Sequence, residues 1–353
     1  MRIVFDVLHP AHLNFFKNAM AELEKQDIII DIIYRRRGQI KAVLAAELPH
    51  KKCQEVGRHY KTLAGTSVAL LKREYNIMKF LRSQEFNLTM GVAGFYVGFP
   101  AKVLGKPAIT FTDDWEYKTT FYLSKYCANY LVIPSLIPAG GKKILKYRGY
   151  KELAYLHPRY YKPSTKVVKS AGLKPGKYVF LRLVSAVSLN YLKIATGNLK
   201  QLFSEIESAG YEIVLSPEDL QQAREYKESC TILESPVPDL HSWLANAALT
   251  VTFGDTISRE SALLGTPAIY LGGRDMVVNN ELIEMGCLKK LDNSKEILAA
   301  IKASLESDDK RRTKKMVQKA YENNTWLDTT QVILDICRGV LEDNRELINK
   351  YRE

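Results

Sequence analysis

The sequence predicts an α/β protein built from two doubly wound domains, each a parallel β-sheet with helices on both faces. Two observations support this fold class. Apolar runs of strand length alternate with longer stretches whose apolar residues recur at helical spacing, almost from end to end. A segment rich in Pro, Tyr and Lys, YLHPRYYKPSTK at 155–166, interrupts this alternation near the middle. We therefore predict a linker at 155–166, with one domain on either side of it.

The N-terminal half supplies the first series of alternating elements. Residues 2–8 (RIVFDVL) predict a strand, and residues 11–26 follow with apolar residues spaced as on one face of a helix. Residues 27–34 (DIIIDIIY) predict the next strand, and further strands are predicted at 107–112 and 130–135. Strands that alternate with helices in this way predict parallel β-α-β units.

The C-terminal half repeats the same alternation. Its first predicted strand is 178–185 (YVFLRLVS), and later strands at 249–254 (LTVTFG) and 267–271 (PAIYL) flank a short helix. From about residue 294 the sequence is helical in pattern and highly charged. The second half therefore predicts a second sheet of the same kind.

These patterns predict three segments. We expect an N-terminal domain at 1–158, a second domain at 159–335, and a helical tail at 336–353 that packs back on the N-terminal domain. Ligands of doubly wound sheets bind beyond the carboxyl ends of the strands. Two such domains that face each other across a cleft would suit an enzyme that joins two substrates.

Composition narrows the class of protein. Hydrophobic residues make up 46% of the 353 residues and no apolar run reaches the length of a membrane span, which indicates a globular protein. The first residues lack the pattern of a signal peptide, so we expect a cytoplasmic location. The five cysteines are scattered without a C-x-x-C pair, which disfavours a disulfide framework or a zinc site.

The net charge requires its own explanation. A formal charge of +12 suits an anionic partner, such as nucleic acid, anionic lipid or a phosphorylated small molecule. No zinc finger, basic zipper or aromatic RNA-binding signature is visible, so we expect no specific nucleic acid. A generally basic surface without a specific partner explains the charge equally well.

The stretch VTFGDTISRESALLGTPAIYLGG, residues 251–273, predicts a strand, a turn, a helix, a turn and a strand. Gly254 permits a tight turn and the close approach of a ligand to the backbone. The first helical residues are Asp255, Thr256, Ile257 and Ser258. Their N–H groups have no partner within the helix, and the helix dipole adds positive partial charge, so this terminus suits a diphosphate. Glu260 lies one turn further, where it can accept hydrogen bonds from two vicinal hydroxyls, as on a ribose. An ordinary β-α-β unit with a surface glutamate explains the same spacing.

Two pairs of polar residues follow predicted strands of the N-terminal domain. His9 and His12 follow the first strand, and a histidine can take a proton from an attacking hydroxyl near neutral pH. Asp113 and Asp114 follow the strand at 107–112, where they could orient a histidine, bind acceptor hydroxyls or act as the base. No set of carboxylates or histidines shows the spacing of metal ligands, so we expect chemistry without a metal cofactor. Polar loops that merely cap helices would contain the same residues.

Further candidates lie in the C-terminal half. An arginine within a strand, Arg182, needs an anion or a structural ion pair, and Ser185 adds a hydroxyl nearby. Asn279 and Asn280 follow the strand at 267–271 in a polar loop that suits sugar hydroxyls. A structural ion pair and an ordinary loop are the alternatives.

Two segments resemble known families. GDTISRESALLGTPAI is similar to the nucleotide-binding segment of GT-B glycosyltransferases and of non-hydrolysing UDP-N-acetylglucosamine 2-epimerases. DVLHPAHLNFF at 6–16 resembles the D-x-x-x-P-A-H-x-x-F-F start of an uncharacterised prokaryotic GT-B-like family. The resemblance covers most of the chain. It implies a GT-B fold, in which two Rossmann-like domains face each other across a cleft.

The resemblance also implies roles for individual residues. It implies phosphate contacts from Gly254 and the helix start at 256–258, and a ribose contact from Glu260. It implies His12 as the first choice of general base and His9 as the second. By the same resemblance Arg159 would meet the diphosphate and Val237 would pack against the base of the nucleotide.

Asp255 departs from the pattern of these families, which usually have a second glycine or another small residue there. A carboxylate at this position would repel a diphosphate unless it points away from it.

We therefore expect a glycosyltransferase that moves a sugar from a nucleotide donor, UDP-linked by resemblance, to a hydroxyl acceptor in polysaccharide or glycolipid synthesis. The nearest alternative is a sugar-nucleotide 2-epimerase, although the G-T-R-P-E turn of those enzymes is replaced here by L-H-P-A-H. A second alternative is a non-catalytic protein of the same fold that binds a glycan or an anion.

Residues 91–106 suggest a partner for this enzyme. The segment contains Phe95, Tyr96, Phe99, Pro100, Lys102 and Lys106. Apolar residues beside lysines predict either core packing or a patch that contacts the membrane surface. The second possibility implies a lipid-linked acceptor and a peripheral position at the inner face of the membrane.

Overall fold

The computed structural model describes the chain as two compact units. Described are residues 1–36, 40–58, 63–183, 199–217, 220–234, 236–291, 293 and 296–352. The first unit comprises 1–160 and 326–353, and the second comprises 161–325. The candidate Ser185 lies outside the described residues.

The first unit contains a parallel sheet. Its strands are β1 (Arg2–Val7), β2 (Ile29–Arg36), β3 (Cys53–Arg58), β4 (Leu88–Val92), β5 (Ala108–Phe111), β6 (Tyr130–Pro134) and β7 (Ile144–Tyr147). Its helices are α1 (Pro10–Glu24), α2 (Ile40–Glu47), α3 (Leu63–Arg82), α4 (Phe95–Val103), α5 (Lys118–Cys127) and α6 (Leu153–Leu156). The strands pair in the order β3-β2-β1-β4-β5-β6-β7, all parallel.

The second unit contains another parallel sheet. Its strands are β8 (Tyr178–Leu183), β9 (Glu212–Pro217), β10 (Thr231–Ile232), β11 (Leu249–Thr252), β12 (Ala268–Tyr270) and β13 (Leu288–Lys290). Its helices are α7 (Lys166–Ser170), α8 (Leu199–Ser208), α9 (Leu220–Ala223), α10 (Leu240–Asn246), α11 (Asp255–Leu263), α12 (Asn280–Glu284), α13 (Ile297–Glu306) and α14 (Asp309–Glu322). The order β10-β9-β8-β11-β12-β13, again all parallel, confirms the predicted fold class of two Rossmann-like α/β domains.

The chain returns to the first unit through α15 (Thr329–Leu341) and α16 (Arg345–Asn349). The hydroxyl of Thr329 donates to the Tyr150 carbonyl at 2.8 Å, and that of Thr330 donates to the Ala154 carbonyl at 2.7 Å. These buried bonds hold α15 beside α6. The sequence predicts a second domain up to residue 335, whereas the structure assigns residues 326–353 to the first unit, because helical periodicity does not reveal which sheet a helix covers.

The strand order of each sheet reverses at one point. In the first unit the reversal lies between β1 and β4, and in the second it lies between β8 and β11. Loops that leave adjacent strands in opposite directions open a crevice there, and doubly wound proteins bind ligands at this point. His9 and His12 follow β1, while Gly254 and α11 follow β11.

Among the described residues, no helix is both long enough and apolar enough to cross a membrane.

Candidate functional site

Helix α11 begins directly beyond the carboxyl end of β11. Gly254 has an extended conformation, with φ −94° and ψ 120°, and its N–H donates to the Thr252 hydroxyl at 3.0 Å. The N–H of Ser258 makes the first bond back along the helix, to the Gly254 carbonyl at 3.1 Å. The N–H groups at 255–257 have no carbonyl partner within the helix, which makes this terminus suited to an anion. The predicted phosphate contact of Ser258 is wrong, because its N–H is used by this bond and its side chain is buried.

The carboxylate of Asp255 lies between two guanidinium groups. Its Oδ2 is 3.5 Å from Nη1 of Arg274 and 3.8 Å from Nη1 of Arg259. Arg259 is fully buried and also donates to Oδ1 of Asn279 at 3.0 Å. Two positive charges therefore offset the negative charge that the sequence places at the start of α11.

Glu260 is buried, with 4% of its surface exposed. Its Oε1 lies 3.2 Å from Nε2 of His241 in α10. The His241 ring in turn meets the Tyr161 ring edge to face, at 5.6 Å between centroids. The Tyr161 hydroxyl is held at 2.8 Å from both Asp239 Oδ1 and Ser242 Oγ. This chain of contacts fixes the orientation of a carboxylate one turn behind the start of α11.

Arg182 lies near the carboxyl end of β8, the strand beside β11. In the register of these strands it is directly opposite Thr252. Its Nη1 donates to Ser216 Oγ at 2.9 Å, and the side chain is half-buried. Arg182 and the start of α11 thus lie at the carboxyl ends of the two strands that flank the reversal in the sheet.

The other candidates of the second unit have different surroundings. Val237 is half-buried and packs against an apolar cluster that includes Trp243. Asn279 is 2% exposed, and its side-chain oxygen accepts the bond from Arg259. Asn280 is exposed at the start of α12. Sugar binding by these asparagines stays a prediction, and the observed contact of Asn279 is structural.

His9 and His12 both accept backbone hydrogen bonds through Nδ1. His9 caps α1 by accepting from the Ala11 N–H at 3.2 Å, and His12 accepts from the Leu8 N–H at 3.3 Å. We assign the neutral tautomer with hydrogen on Nε2 to both rings, because Nδ1 is an acceptor in each bond. In this tautomer each ring offers an N–H donor rather than a lone pair to an approaching group.

The pKa of His12 supports the same assignment. It is lowered from 6.5 to about 3, chiefly because burial disfavours the charged ring. Lys151 lowers it further, as a protonated His9 would, whereas Asp113 raises it. His12 is therefore neutral at physiological pH.

Asp113 and Asp114 follow β5 within the same unit. Asp113 is buried, and its Oδ2 lies 2.8 Å from Nζ of Lys151, which is 3.9 Å from Oε1 of Glu152. The backbone N–H of Asp114 donates to the Thr112 hydroxyl at 3.1 Å, and its side chain is half-buried. The first unit thus brings together the His12 imidazole, the Lys151 ammonium group and the carboxylates of Asp113 and Glu152.

Arg159 belongs to the first unit. Its side chain is 63% exposed and lies 3.6 Å from the Asp328 carboxylate. An exposed pair of this kind adds little to stability. Its predicted contact with a diphosphate stays a prediction.

Sequence reasoning missed a buried ion pair between α3 and β1, the strand that precedes the two histidines. Asp6 of β1 accepts from Arg73 of α3 at 2.6 Å, and both side chains are at most 2% exposed. Arg73 also donates through Nε to the Val56 carbonyl at 3.2 Å. The available signal was an aspartate in the middle of an apolar strand, since a buried charge needs a partner. Its partner is far away in the sequence and could not be named.

Arg274, His241 and Lys151 were missed as well. Arg274 follows two glycines that come shortly after β12. A basic residue at that place lies near the carboxyl ends of the strands, so its position in the sequence was a usable signal. His241 and Lys151 carry no comparable signal. The described residues contain no group of three or more His, Cys, Asp or Glu side chains that could hold a metal ion.

The sequence of this chain matches a protein family and a relative. The profile of the family described as "Protein of unknown function (DUF354)" matches residues 1–338. The chain belongs to this family. An uncharacterized protein of Methanocaldococcus jannaschii is 22% identical over 313 residues, which are 85% of this DUF354 chain and 90% of the relative.

Solved structures share the fold of this DUF354 protein. The UDP-N-acetylglucosamine 2-epimerase of Rickettsia bellii superposes with a TM-score of 0.72 and 15% identity, over 97% of both chains. The S. aureus MnaA–UDP structure has a TM-score of 0.72 and 13% identity, also over 97% of both chains. The glycosyltransferase VinC in complex with dTDP has a TM-score of 0.67 and 14% identity, over 98% of this chain and 100% of VinC. The predicted GT-B fold is therefore confirmed.

Proposed function

We propose that this DUF354 protein binds a nucleotide sugar, UDP-linked by preference, and transfers the sugar to a hydroxyl acceptor. The observation that carries this proposal is the start of α11. An open helix N-terminus stands at the reversal point of the second sheet, with the buried carboxylate of Glu260 one turn behind it. Solved proteins of the same fold are described with UDP and dTDP, which supports a nucleoside diphosphate as the ligand.

The diphosphate would lie against the first turn of α11. The helix terminus supplies N–H donors and positive partial charge to phosphate oxygens. Arg182 stands on the neighbouring strand, and Arg274 adds a guanidinium group beside Asp255. An arginine can offer two parallel donors to a phosphate, which suits a diphosphate that must be stabilised as it leaves.

Glu260 would bind the ribose. A carboxylate is an acceptor at both oxygens and can take hydrogen bonds from two vicinal hydroxyls. His241, at 3.2 Å from Oε1, holds the group in one orientation, so little conformational freedom is lost when the nucleoside binds.

The first unit would supply the groups that act on the acceptor. A general base must offer a lone pair to the proton that it removes, and His12, with Nδ1 bonded to the Leu8 N–H and hydrogen on Nε2, offers none. We therefore assign proton removal to a carboxylate, Asp114 or Asp113. His12 and His9 would instead donate Nε2–H to substrate oxygens.

The proposed reaction is a displacement of the nucleoside diphosphate at the anomeric carbon of the sugar. The acceptor hydroxyl gives its proton to a general base while its oxygen forms a bond to the anomeric carbon. The bond from that carbon to the diphosphate breaks, and the electron pair leaves with the nucleoside diphosphate. The N–H donors of α11 and the arginines would stabilise the charge that develops on the departing oxygen.

A binding titration tests the nucleotide site. We expect UDP to bind the wild-type protein in calorimetry and Glu260→Gln to weaken binding about tenfold, because the amide replaces a charged acceptor by a neutral one. The matched control is Glu284→Gln, at an exposed glutamate of α12 in the same unit, which should bind as the wild type does. Absence of binding by any nucleotide at millimolar concentration, or an equal effect of both substitutions, would overturn the proposal.

Product analysis separates transfer from epimerisation, which is the second candidate. The likeness to the Rickettsia bellii epimerase over 97% of both chains favours this alternative. Incubation with UDP-N-acetylglucosamine alone would yield an isomerised sugar nucleotide if the protein is an epimerase. Transfer predicts no isomer, and UDP release that depends on an added hydroxyl acceptor.

A further inference from the structure

Two neighbouring helices of the first unit present a concentration of exposed apolar side chains. Those side chains are Phe99 (47% exposed), Val103 (54%), Tyr117 (56%), Tyr122 (55%), Leu123 (42%) and Tyr126 (66%). They lie on α4 and α5 or directly before α5, and we call them the α4–α5 face. Other large apolar side chains that are exposed in the described part of the chain, such as Ile29, Tyr75 and Ile283, are far apart in sequence.

The two helices are in direct contact. A Cβ added to Gly98 of α4 would lie 3.3 Å from the backbone and Cβ of Cys127, the last residue of α5, so the helices approach closely there. Nζ of Lys102 lies 4.0 Å from the centroid of the Tyr126 ring and donates to the Tyr126 carbonyl at 3.3 Å. The exposed residues of α4 and α5 therefore form one surface.

Helical spacing explains why this surface is apolar on the outside. Phe99 and Val103 are one turn apart on α4, and Tyr122 and Tyr126 are one turn apart on α5. The opposite side of α5 is buried through other residues, including Phe121 and Cys127. Since α5 has buried apolar residues on one side and exposed ones on the other, packing inside the unit does not account for the exposed set.

Positive charges surround the α4–α5 face. Lysines on or beside the two helices are Lys102, Lys106, Lys118 and Lys125, and a neighbouring loop adds Lys142 and Lys143. That loop is held against α5, because Lys125 Nζ donates to the Gly140 carbonyl at 3.1 Å and Lys143 Nζ donates to the Ala128 carbonyl at 2.8 Å. No acidic residue occurs between 117 and 148.

We propose that the α4–α5 face docks on the surface of an anionic lipid bilayer. Tyrosines place an apolar ring and a polar hydroxyl at the boundary between lipid and water. Lysine side chains can lay their methylene groups on this boundary while the ammonium group meets lipid phosphate. A second copy of the chain is disfavoured as the occupant, because a symmetric contact would bring two sets of lysines together.

This surface differs from the patch that residues 91–106 had predicted. Pro100 is buried, and the Tyr96 ring lies 4.7 Å from the buried guanidinium group of Arg73. Phe99 is exposed as required, but most of the exposed aromatic rings come from α5 and from Tyr117 before it. The inference rests on this exposed set and its charges, and does not depend on the proposed transferase activity.

Vesicle sedimentation tests the apolar part of the face. We expect the full-length protein to sediment with vesicles of equal parts phosphatidylcholine and phosphatidylglycerol, and to stay in solution with phosphatidylcholine alone. The triple variant Tyr122→Ser, Leu123→Ser, Tyr126→Ser should lower the partition coefficient more than about tenfold, since exposed rings lose their contact with lipid. The matched control is Ile29→Ser, Tyr75→Ser, Ile283→Ser, which removes exposed apolar groups elsewhere and should bind as the wild type does.

A second pair of variants tests the charges. Lys106→Gln with Lys142→Gln should lower binding about fivefold for each lysine removed. The control pair Lys302→Gln and Lys315→Gln changes exposed lysines of the second unit and should have little effect. Thermal unfolding of every variant verifies that it is folded, which is expected because all substituted residues are exposed.

Each result of the vesicle experiments either supports or overturns the proposal. Binding to anionic vesicles that both α4–α5 variants weaken, and both controls leave intact, supports the proposal. Absence of binding to anionic vesicles, or equal losses in variants and controls, overturns it. A wild-type dimer that the triple variant converts to a monomer, without vesicle binding, would show that a second copy is the occupant and would also overturn it.

Discussion

At the scale of single residues, the sequence predicts the position of Asp255 but not the side chains that offset its charge. The sequence shows an acidic residue at a terminus that should bind an anion, and that conflict cannot be resolved from local pattern. The structure places Arg259 and Arg274 at 3.8 Å and 3.5 Å from its carboxylate. Arg259 follows from helical spacing, because positions four apart share a face. Arg274 comes from the loop after β12, and its contact depends on the fold of the unit.

For His9 and His12, too, the sequence predicts the position but not the contacts. Their position after the first strand was readable from the sequence, whereas their hydrogen-bond partners were not. Both Nδ1 atoms accept backbone N–H bonds, and this decides that the rings present donors. The residue types were thus predictable, but the direction of proton transfer depends on backbone geometry.

The low pKa of His12 predicts a stability that depends on pH. Between about 3 and 6.5 the unfolded chain takes up a proton that folded His12 does not, so stability should fall as the pH falls below about 6.5. The slope from this one group is at most about 1.4 kcal/mol per pH unit. Thermal unfolding at about pH 5 and pH 7 should show a smaller loss on acidification for His12→Asn than for the wild type.

The control for this prediction is His50→Asn, which changes an exposed histidine of the same unit. It should lose stability on acidification as the wild type does. Identical behaviour of His12→Asn and the wild type would contradict a neutral ring at position 12 near pH 5.

Glu74 on α3 predicts the opposite dependence. Burial raises its pKa from 4.5 to about 8, while Arg73 lowers it and Asp6 raises it. Folded Glu74 holds a proton between these pH values and the unfolded chain does not, so stability should fall as the pH rises from about 4.5 to 8. Glu74→Gln keeps the size of the side chain and removes the titration. Its melting temperature relative to the wild type should therefore increase between about pH 5 and pH 9.

An exposed glutamate of the same unit, Glu85, provides the comparison as Glu85→Gln. Its melting temperature should follow that of the wild type at both pH values. If Glu74→Gln also follows the wild type, then Glu74 ionises normally in the folded protein.

At the scale of elements, α11 has a defined end as well as an open start. Gly265 has φ +80°, its N–H donates to the Ala262 carbonyl at 2.9 Å, and the Thr266 N–H donates to the Ser261 carbonyl at 3.0 Å. These two bonds are the Schellman arrangement that ends a helix at glycine. The sequence ALLGTP indicated this end, because glycine followed by proline is typical of a helix terminus.

Substitution of Gly265 tests how closely α11 approaches α14. Gly265→Ala should destabilise the protein by more than about 2 kcal/mol, because alanine is strained at positive φ and its Cβ would lie 3.1 Å from Cα of Lys314. The matched control is Gly210→Ala, with φ +82° and no atom within 4 Å of the added Cβ, which should lose only about 1–2 kcal/mol. Urea unfolding measures both, and equal losses would contradict the close approach.

Other elements were harder to assign from sequence. The pattern of α5 was recognisable as a helix, but periodicity did not reveal that Tyr122 and Tyr126 face solvent. A tyrosine has an apolar ring and a polar hydroxyl, so it fits a core and a surface equally well. Exposure of such residues is decided by which neighbours cover them, and that information lies outside the element.

At the scale of the whole molecule, the sequence predicted two parallel sheets because each is composed of repeated strands and helices with clear periods. Strand order and the reversal points of the sheets were not readable, since they depend on which distant strands pair. The return of α15 to the first unit also depends on distant residues. Thr329 and Thr330 donate hydrogen bonds to the backbone carbonyls of Tyr150 and Ala154. Long-range contacts of this sort leave no local pattern in a sequence.

The central claim is that the first turn of α11 receives a diphosphate and that Glu260 receives the adjoining ribose. A crystal structure of the protein soaked with UDP tests it most directly. We expect phosphate oxygens within hydrogen-bond distance of the N–H groups at 255–257, and ribose hydroxyls on the Glu260 carboxylate. UDP bound elsewhere, or a first turn of α11 that stays empty at saturating UDP, would contradict it.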